Sequence, residues 1–202
     1  SPLQDELVKS GNYRVFNIEW PGFGDSPVSK TNAVLGDYSG YLGDFISTQN
    51  LIKPILVGHS FGGKVAMHLL INHPRIAEKL ILINSSGIKP KNNLKKTILY
   101  FPTKLFGGLF SIAGLRNVKP LVRKVYYKIV VHEDDYLLSE DLRETLKNVL
   151  DENLDKEVKN IDVETLLLWG ENDAKTPLWM AEYLKNEIPN SKLEVIKDAR
   201  HN

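Results

Sequence analysis

Five short runs of β-branched and apolar residues recur along the chain: YRVFNIEW at 13–20, PILVG at 54–58, KLILIN at 79–84, ETLLLW at 164–169 and KLEVI at 192–196. Their apolar character is continuous rather than alternating, the pattern of strands covered on both faces, as in a parallel sheet. Helical patterns separate them near 37–49, 61–72 and 177–187, the last with Thr176 as its N-cap and Pro177 at its first helical position. Strand–helix alternation of this kind predicts a doubly wound α/β fold with a mostly parallel sheet. Sites in such sheets form outside the carboxyl ends of the strands, so chemistry is to be sought in the strand-to-helix loops.

One interval breaks the rhythm. Residues 88–160 contain no convincing strand. Val118, Leu121, Val122, Val125 and Ile129 keep helical spacing with Pro120 near the start, and Leu142, Leu146, Val149 and Leu150 form a second stripe behind Ser139. This predicts a helical cap or lid over 88–160, inserted into a core made of 1–87 and 161–202. Within the insertion, LYFPTKLFGGLFSIAG is the most apolar stretch, and Pro102 with Gly107-Gly108 would break its helices as a moving lid over an apolar pocket requires.

Composition narrows the chemistry. The 26 basic and 25 acidic residues nearly cancel, which gives no reason to propose nucleic acid as a partner. With no cysteine, disulfides and thiolate metal sites are excluded, and the expected location is cytoplasmic. No apolar run approaches the roughly 18 residues of a membrane span. The sequence starts at Ser1 without an initiator methionine and stops at His201-Asn202, so it is expected to be a fragment of a longer protein.

The segment PILVGHSFGGKVAMHLLINHP (54–74) sets Ser60 at a sharp turn from strand to helix, with Gly58 and Gly62 expected to remove the Cβ atoms that would collide there. A serine at such a bend has its oxygen clear of the backbone, and the N–H groups opening the following helix, Phe61 first, would face an oxyanion formed beside it. Phosphate cradling is a poor fit. GHSFGG lacks the Lys-Ser/Thr ending of a P-loop and the spacing of a dinucleotide fingerprint, and PGFGDSP at 21–27 lacks a third spaced glycine.

A serine hydroxyl is a poor nucleophile without a base, and the base needs an acid to fix its tautomer. LLLWGENDAKTP runs from strand to Gly170 and then to Glu171 and Asp173, while KLEVIKDARHN runs from strand to His201. Glu171 competes with Asp173 for the acid. His59 is expected to pack or to hydrogen-bond within its loop, and His68 and His73, on or just after a helix, to be structural. His132 opens HEDD, which reads as a solvated helix start; no metal or other cofactor is expected.

In chain order and loop placement these stretches resemble the α/β-hydrolase superfamily, specifically its capped, serine-dependent branch. YRVFNIEWPGFGDS, ILVGHSFGGKVAMHLL, KLILINSSG, the helical insertion, LLLWGENDAKTP and LEVIKDARH follow one another in family order across nearly the whole chain. The resemblance implies Ser60 as nucleophile, His201 as general base and acid, Asp173 as the residue orienting His201, and Phe61 as an oxyanion-hole donor. It also implies a second donor, first strands and a closing helix outside this sequence. The family's Gly-x-Gly-His before the base is here Asp198-Ala199-Arg200-His201. Relatives that place the acid after the preceding strand would have it at Asn84-Ser85-Ser86, where no carboxylate stands. Dehalogenases and epoxide hydrolases carry Asp where this chain has Ser60, and hydrolases of aromatic ring-fission products typically carry Asn where it has His59.

Charge divides the insertion. Residues 88–132 hold ten Lys or Arg and no Asp or Glu, whereas 133–164 carry twelve acids against four bases. The halves are expected to pair on a solvated cap, with Phe101, Phe106, Phe110 and Tyr126 lining the acyl pocket or the cap's core; peripheral contact of the basic half with an anionic lipid surface, or contact with an acidic substrate, is the alternative. The expected function is that of a serine hydrolase acting on a small-molecule carboxylic ester or similar acyl bond. Carbon–carbon hydrolysis, amidase or perhydrolase chemistry, or binding without turnover on the same fold, are the other readings.

Overall fold

The computed structural model describes residues 2–23, 25–27, 32–89, 145 and 148–201. Among them four parallel strands, β1 (Ile55–His59), β2 (Lys79–Ile83), β3 (Glu164–Gly170) and β4 (Ser191–Ile196), lie side by side in that order. Helix α1 is Pro2–Lys9, α2 Leu35–Thr48, α3 Phe61–Asn72 and α4 Trp179–Glu187. Helix α3 packs on β1, β2 and α2, and α4 on β3 and β4. The α/β class with a parallel sheet is therefore as the sequence predicts.

Periodicity explains each packing. Leu35, Tyr38, Leu42 and Ile46 recur at three- and four-residue spacing on α2 and are buried, as one helical stripe must be. The start of α2 is closed by Asp37, whose carboxylate accepts the Val34 N–H at 2.8 Å. Helix α3, apolar almost all round, is pressed between the sheet and α2, with Val65, Met67, Leu69 and Leu70 buried. Leu80 and Leu82 of β2 and Leu167 and Trp169 of β3 complete the core beneath it.

Three expectations need correction. The run 13–20 joins no ladder among the described residues. It is placed by side chains instead: Phe16 meets Phe45 of α2 edge-on, and Ile18 and Trp20 pack against the core. None of the four strands is buried on both faces: in β2 and β3 one face is buried and the other is mostly half-buried, β1 buries Leu56 and Gly58 but exposes Ile55 and Val57, and β4, at the end of the strand order, leaves Val195 and Ile196 exposed. Thr176 does not cap α4, which begins at Trp179; its polar groups turn back toward Asp173.

Of the insertion, residues 145 and 148–151 are helical. Thr145 and Val149, one turn apart, are buried, while Leu150, expected in the same stripe, points outward. Phe101, Phe106, Phe110, Tyr126 and His132, with the first helical stripe, lie outside the described residues.

Candidate active site

The register aligns His59 with Ile83 and Ile83 with Leu168, so β1 and β2 end level, while β3 runs two residues further to Gly170, which pairs with Ile196 at the end of β4. The loops that leave this edge carry Ser60, Asn84, Asp173 and His201. Ser60 is the single residue between β1 and α3, with φ 50° and ψ −115°. A non-glycine residue at positive φ costs on the order of 1–3 kcal/mol and persists only where its surroundings hold it. Here the Ser60 N–H donates to the Ile83 carbonyl at 3.1 Å, and the Ser60 carbonyl accepts the Ser86 N–H at 3.1 Å.

Close approach of β1 to the first turn of α3 makes the bend possible. A Cβ on Gly58 would stand 2.4 Å from the Gly63 Cα, and one on Gly63 would stand 2.2 Å from the Ser85 Oγ. The indispensable pair is thus Gly58 and Gly63, not Gly58 and Gly62 as the sequence suggests: a Cβ at Gly62 would meet nothing nearer than the Trp20 Nε1 at 3.8 Å.

His201 bridges the two remaining groups. Its Nδ1 lies 2.7 Å from Asp173 Oδ2 and its Nε2 lies 3.2 Å from Ser60 Oγ. A carboxylate only accepts, so Nδ1 carries the ring hydrogen and Nε2 presents its lone pair to the Ser60 hydroxyl. Asp173 is buried and receives three further donors: the Lys175 N–H at 2.8 Å and Thr176 N–H at 2.9 Å on Oδ1, and the Thr176 hydroxyl at 2.7 Å on Oδ2. Burial alone pushes this carboxyl up. The hydrogen bonds from Thr176 and His201 outweigh it and hold Asp173 below its ordinary value of 3.8, hence ionised at neutral pH.

Phe61 opens α3, so its N–H is among the helix's first four, which no intrahelical carbonyl serves. Its ring is fixed by Phe23, stacked at 5.6 Å, by Tyr38 edge-on at 5.0 Å and by Trp20 at 6.0 Å. The structure therefore brings together Ser60, Phe61, Asp173 and His201, all four named from the sequence. Such an array can pass a proton from the serine hydroxyl to imidazole while a buried carboxylate faces the charge that forms.

The remaining candidates have other partners. Glu171 turns from His201 and accepts the Asp198 N–H at 3.1 Å through Oε2. His68 Nδ1 is 2.7 Å from Ser39 Oγ on α2, and His73 lies just beyond the end of α3. His59 donates from Nε2 to the His201 carbonyl at 2.8 Å. Sequence reasoning missed Thr176 as a partner of Asp173 and gave Asn84 no role; the one available signal was polar residues at strand ends in a chain whose strands are otherwise apolar.

Comparison with known proteins agrees with this architecture. The family model described as "Alpha/beta hydrolase family" matches residues 1–202. Human "Epoxide hydrolase 4" is 26% identical over 222 residues, covering 94% of this chain and 60% of that protein. A "2-hydroxy-6-oxononadienedioate/2-hydroxy-6-oxononatrienedioate hydrolase" of Pseudomonas sp is 22% identical over 218 residues, 98% of this chain and 73% of that one. The chain thus spans between three-fifths and three-quarters of the length of these relatives. Among solved structures, an esterase from Exiguobacterium antarcticum superposes with a TM-score of 0.72 at 22% identity, covering all of this chain and 79% of that one. The chain belongs to the alpha/beta hydrolase family.

Proposed function

We propose that the protein hydrolyses a carboxylic ester or similar acyl bond through an acyl-enzyme on Ser60. The observation that carries this reading is the continuous line from Asp173 Oδ2 through His201 to Ser60 Oγ, at 2.7 and 3.2 Å. Ser60 Oγ attacks the acyl carbon as His201 Nε2 takes its proton. The Phe61 N–H faces the oxyanion, and the alcohol leaves with the proton returned by His201. Water, deprotonated by His201, then attacks the acyl-enzyme and releases the acid. Asp173 stays ionised throughout and stabilises the imidazolium.

The human relative is named as an epoxide hydrolase, but Ser60 argues against that activity here. A carboxylate opening an epoxide forms an ester that water can cleave; a serine would form an ether, which water at neutral pH leaves intact. Carbon–carbon hydrolysis is the second reading, favoured by the likeness to the Pseudomonas hydrolase, since the same proton path would serve.

A panel of p-nitrophenyl esters of increasing acyl length, run on wild type and on Ser60→Ala, tests the proposal. Turnover by wild type and a fall of about 10⁶-fold in kcat for Ser60→Ala are expected. Equal rates for the two proteins would overturn it. Cleavage of ring-fission dienoates with no ester turnover would favour the second reading.

A further inference from the structure

The segment that presents His201 is Asp198-Ala199-Arg200, without the glycines usual in the family, and the neighbouring strands hold its main chain by side chains. From the end of β2, Asn84 accepts the Gly170 N–H on Oδ1 at 2.8 Å and donates both hydrogens of Nδ2, to the Arg200 and His201 carbonyls, each at 3.0 Å. One amide orientation satisfies all three bonds, and it uses both donors of the group. Asn84 also sits at φ 43°, a conformation Asn tolerates better than most residues, with its own N–H on the Leu168 carbonyl at 3.0 Å. From the end of β1, His59 donates to the same His201 carbonyl at 2.8 Å, its ring 4.9 Å from the His201 ring. At the end of β3, Gly170 lets the loop descend: a Cβ there would stand 2.6 Å from the Arg200 carbonyl oxygen. Three strands thus converge on two adjacent carbonyls.

We infer that Asn84 and His59 are positioning residues for the proposed base, clamping the Arg200–His201 main chain so that Nε2 of His201 faces Ser60. The inference rests on the acyl-transfer reading of Ser60 and His201. Asparagine is required because the clamp needs one acceptor and two donors on one short side chain. Asn84→Asp keeps the shape and the acceptor for Gly170 but sets a carboxylate against two carbonyl oxygens. His59 is exposed, so its substitution tests the same carbonyl without opening the core.

The experiment measures the rate of Ser60 modification by a fluorophosphonate in wild type, Asn84→Asp, His59→Ala and His59→Gln, with steady-state kinetics on the best ester. Losing a partner of this kind is expected to slow labelling about tenfold in His59→Ala and about 100-fold in Asn84→Asp, through kcat with KM unchanged. Recovery of most of the rate in His59→Gln, which retains a donor at that reach, is expected; bulk stability alone would not produce that recovery. Folded variants that label at the wild-type rate would overturn the clamp. Should wild type itself resist labelling, the acyl-transfer reading fails, and the clamp is judged by the downfield proton signal of the His201–Asp173 hydrogen bond. Loss of that signal in Asn84→Asp and His59→Ala supports it, and an unchanged signal overturns it. If Asn84→Asp does not fold, the two His59 variants carry the test.

Discussion

Asp173 shows how much a single side chain depends on its donors. Four hydrogen bonds meet its two oxygens, and with the His201 Nδ1–H among them the imidazole is held in one tautomer. Asp173→Asn would present an N–H to that N–H or turn the ring, and kcat should fall by about 10⁴-fold with the fold retained. Thr176→Val removes one donor without changing volume much. Because Asp173 titrates below its ordinary 3.8 when folded, the stability it confers is complete above that value and is lost as pH falls through the lower, folded value. The unfolding free energies of wild type and Thr176→Val should therefore differ at neutral pH and converge in acid, as denaturant titrations across that range would measure. Ser60, Asp173 and His201 were legible because each is a reactive type following an apolar run. Asn84 and His59 were not: both act on main-chain carbonyls, and Asn84 lies 116 residues from Arg200, a distance no local pattern reports.

At the scale of elements, α3 joins the site to the returning end of the insertion. Lys64, in its first turn, is buried, and its ammonium donates to the Val149 and Glu152 carbonyls at the end of the helical stretch there. Burial pushes its pKa down to about 8, against the pull of Glu152. Between about 8 and the ordinary 10.5 the unfolded chain holds the proton more firmly than the folded one, so stability relative to Lys64→Met should rise with pH across that window. At pH 7, Lys64→Met leaves two carbonyls without their donor and should cost about 2 kcal/mol in chemical denaturation. The glycines of the same turn should diverge. Gly63→Ala drives a Cβ into Ser85 and should destabilise by more than about 2 kcal/mol, whereas Gly62→Ala has room and should stabilise by about 0.5 kcal/mol. Sequence could not separate them, because the difference lies in what crosses behind the helix.

Across the whole molecule, the alternation of apolar runs and helical stripes gave away the parallel sheet, since continuously apolar strands and crossover helices leave few other arrangements. It misjudged 13–20, where strand-like composition serves side-chain packing and joins no ladder among the described residues, and the depth to which the strands are buried, which composition does not report. The central claim is that the strand ends converge on a serine made reactive by His201. Its most direct test is peptide-resolved mass spectrometry after exposure to a fluorophosphonate, with His201→Gln as comparison. The account predicts one adduct, on Ser60, formed at least about 10³-fold more slowly in His201→Gln. An unmodified Ser60, or labelling at the same rate without the imidazole, would contradict it.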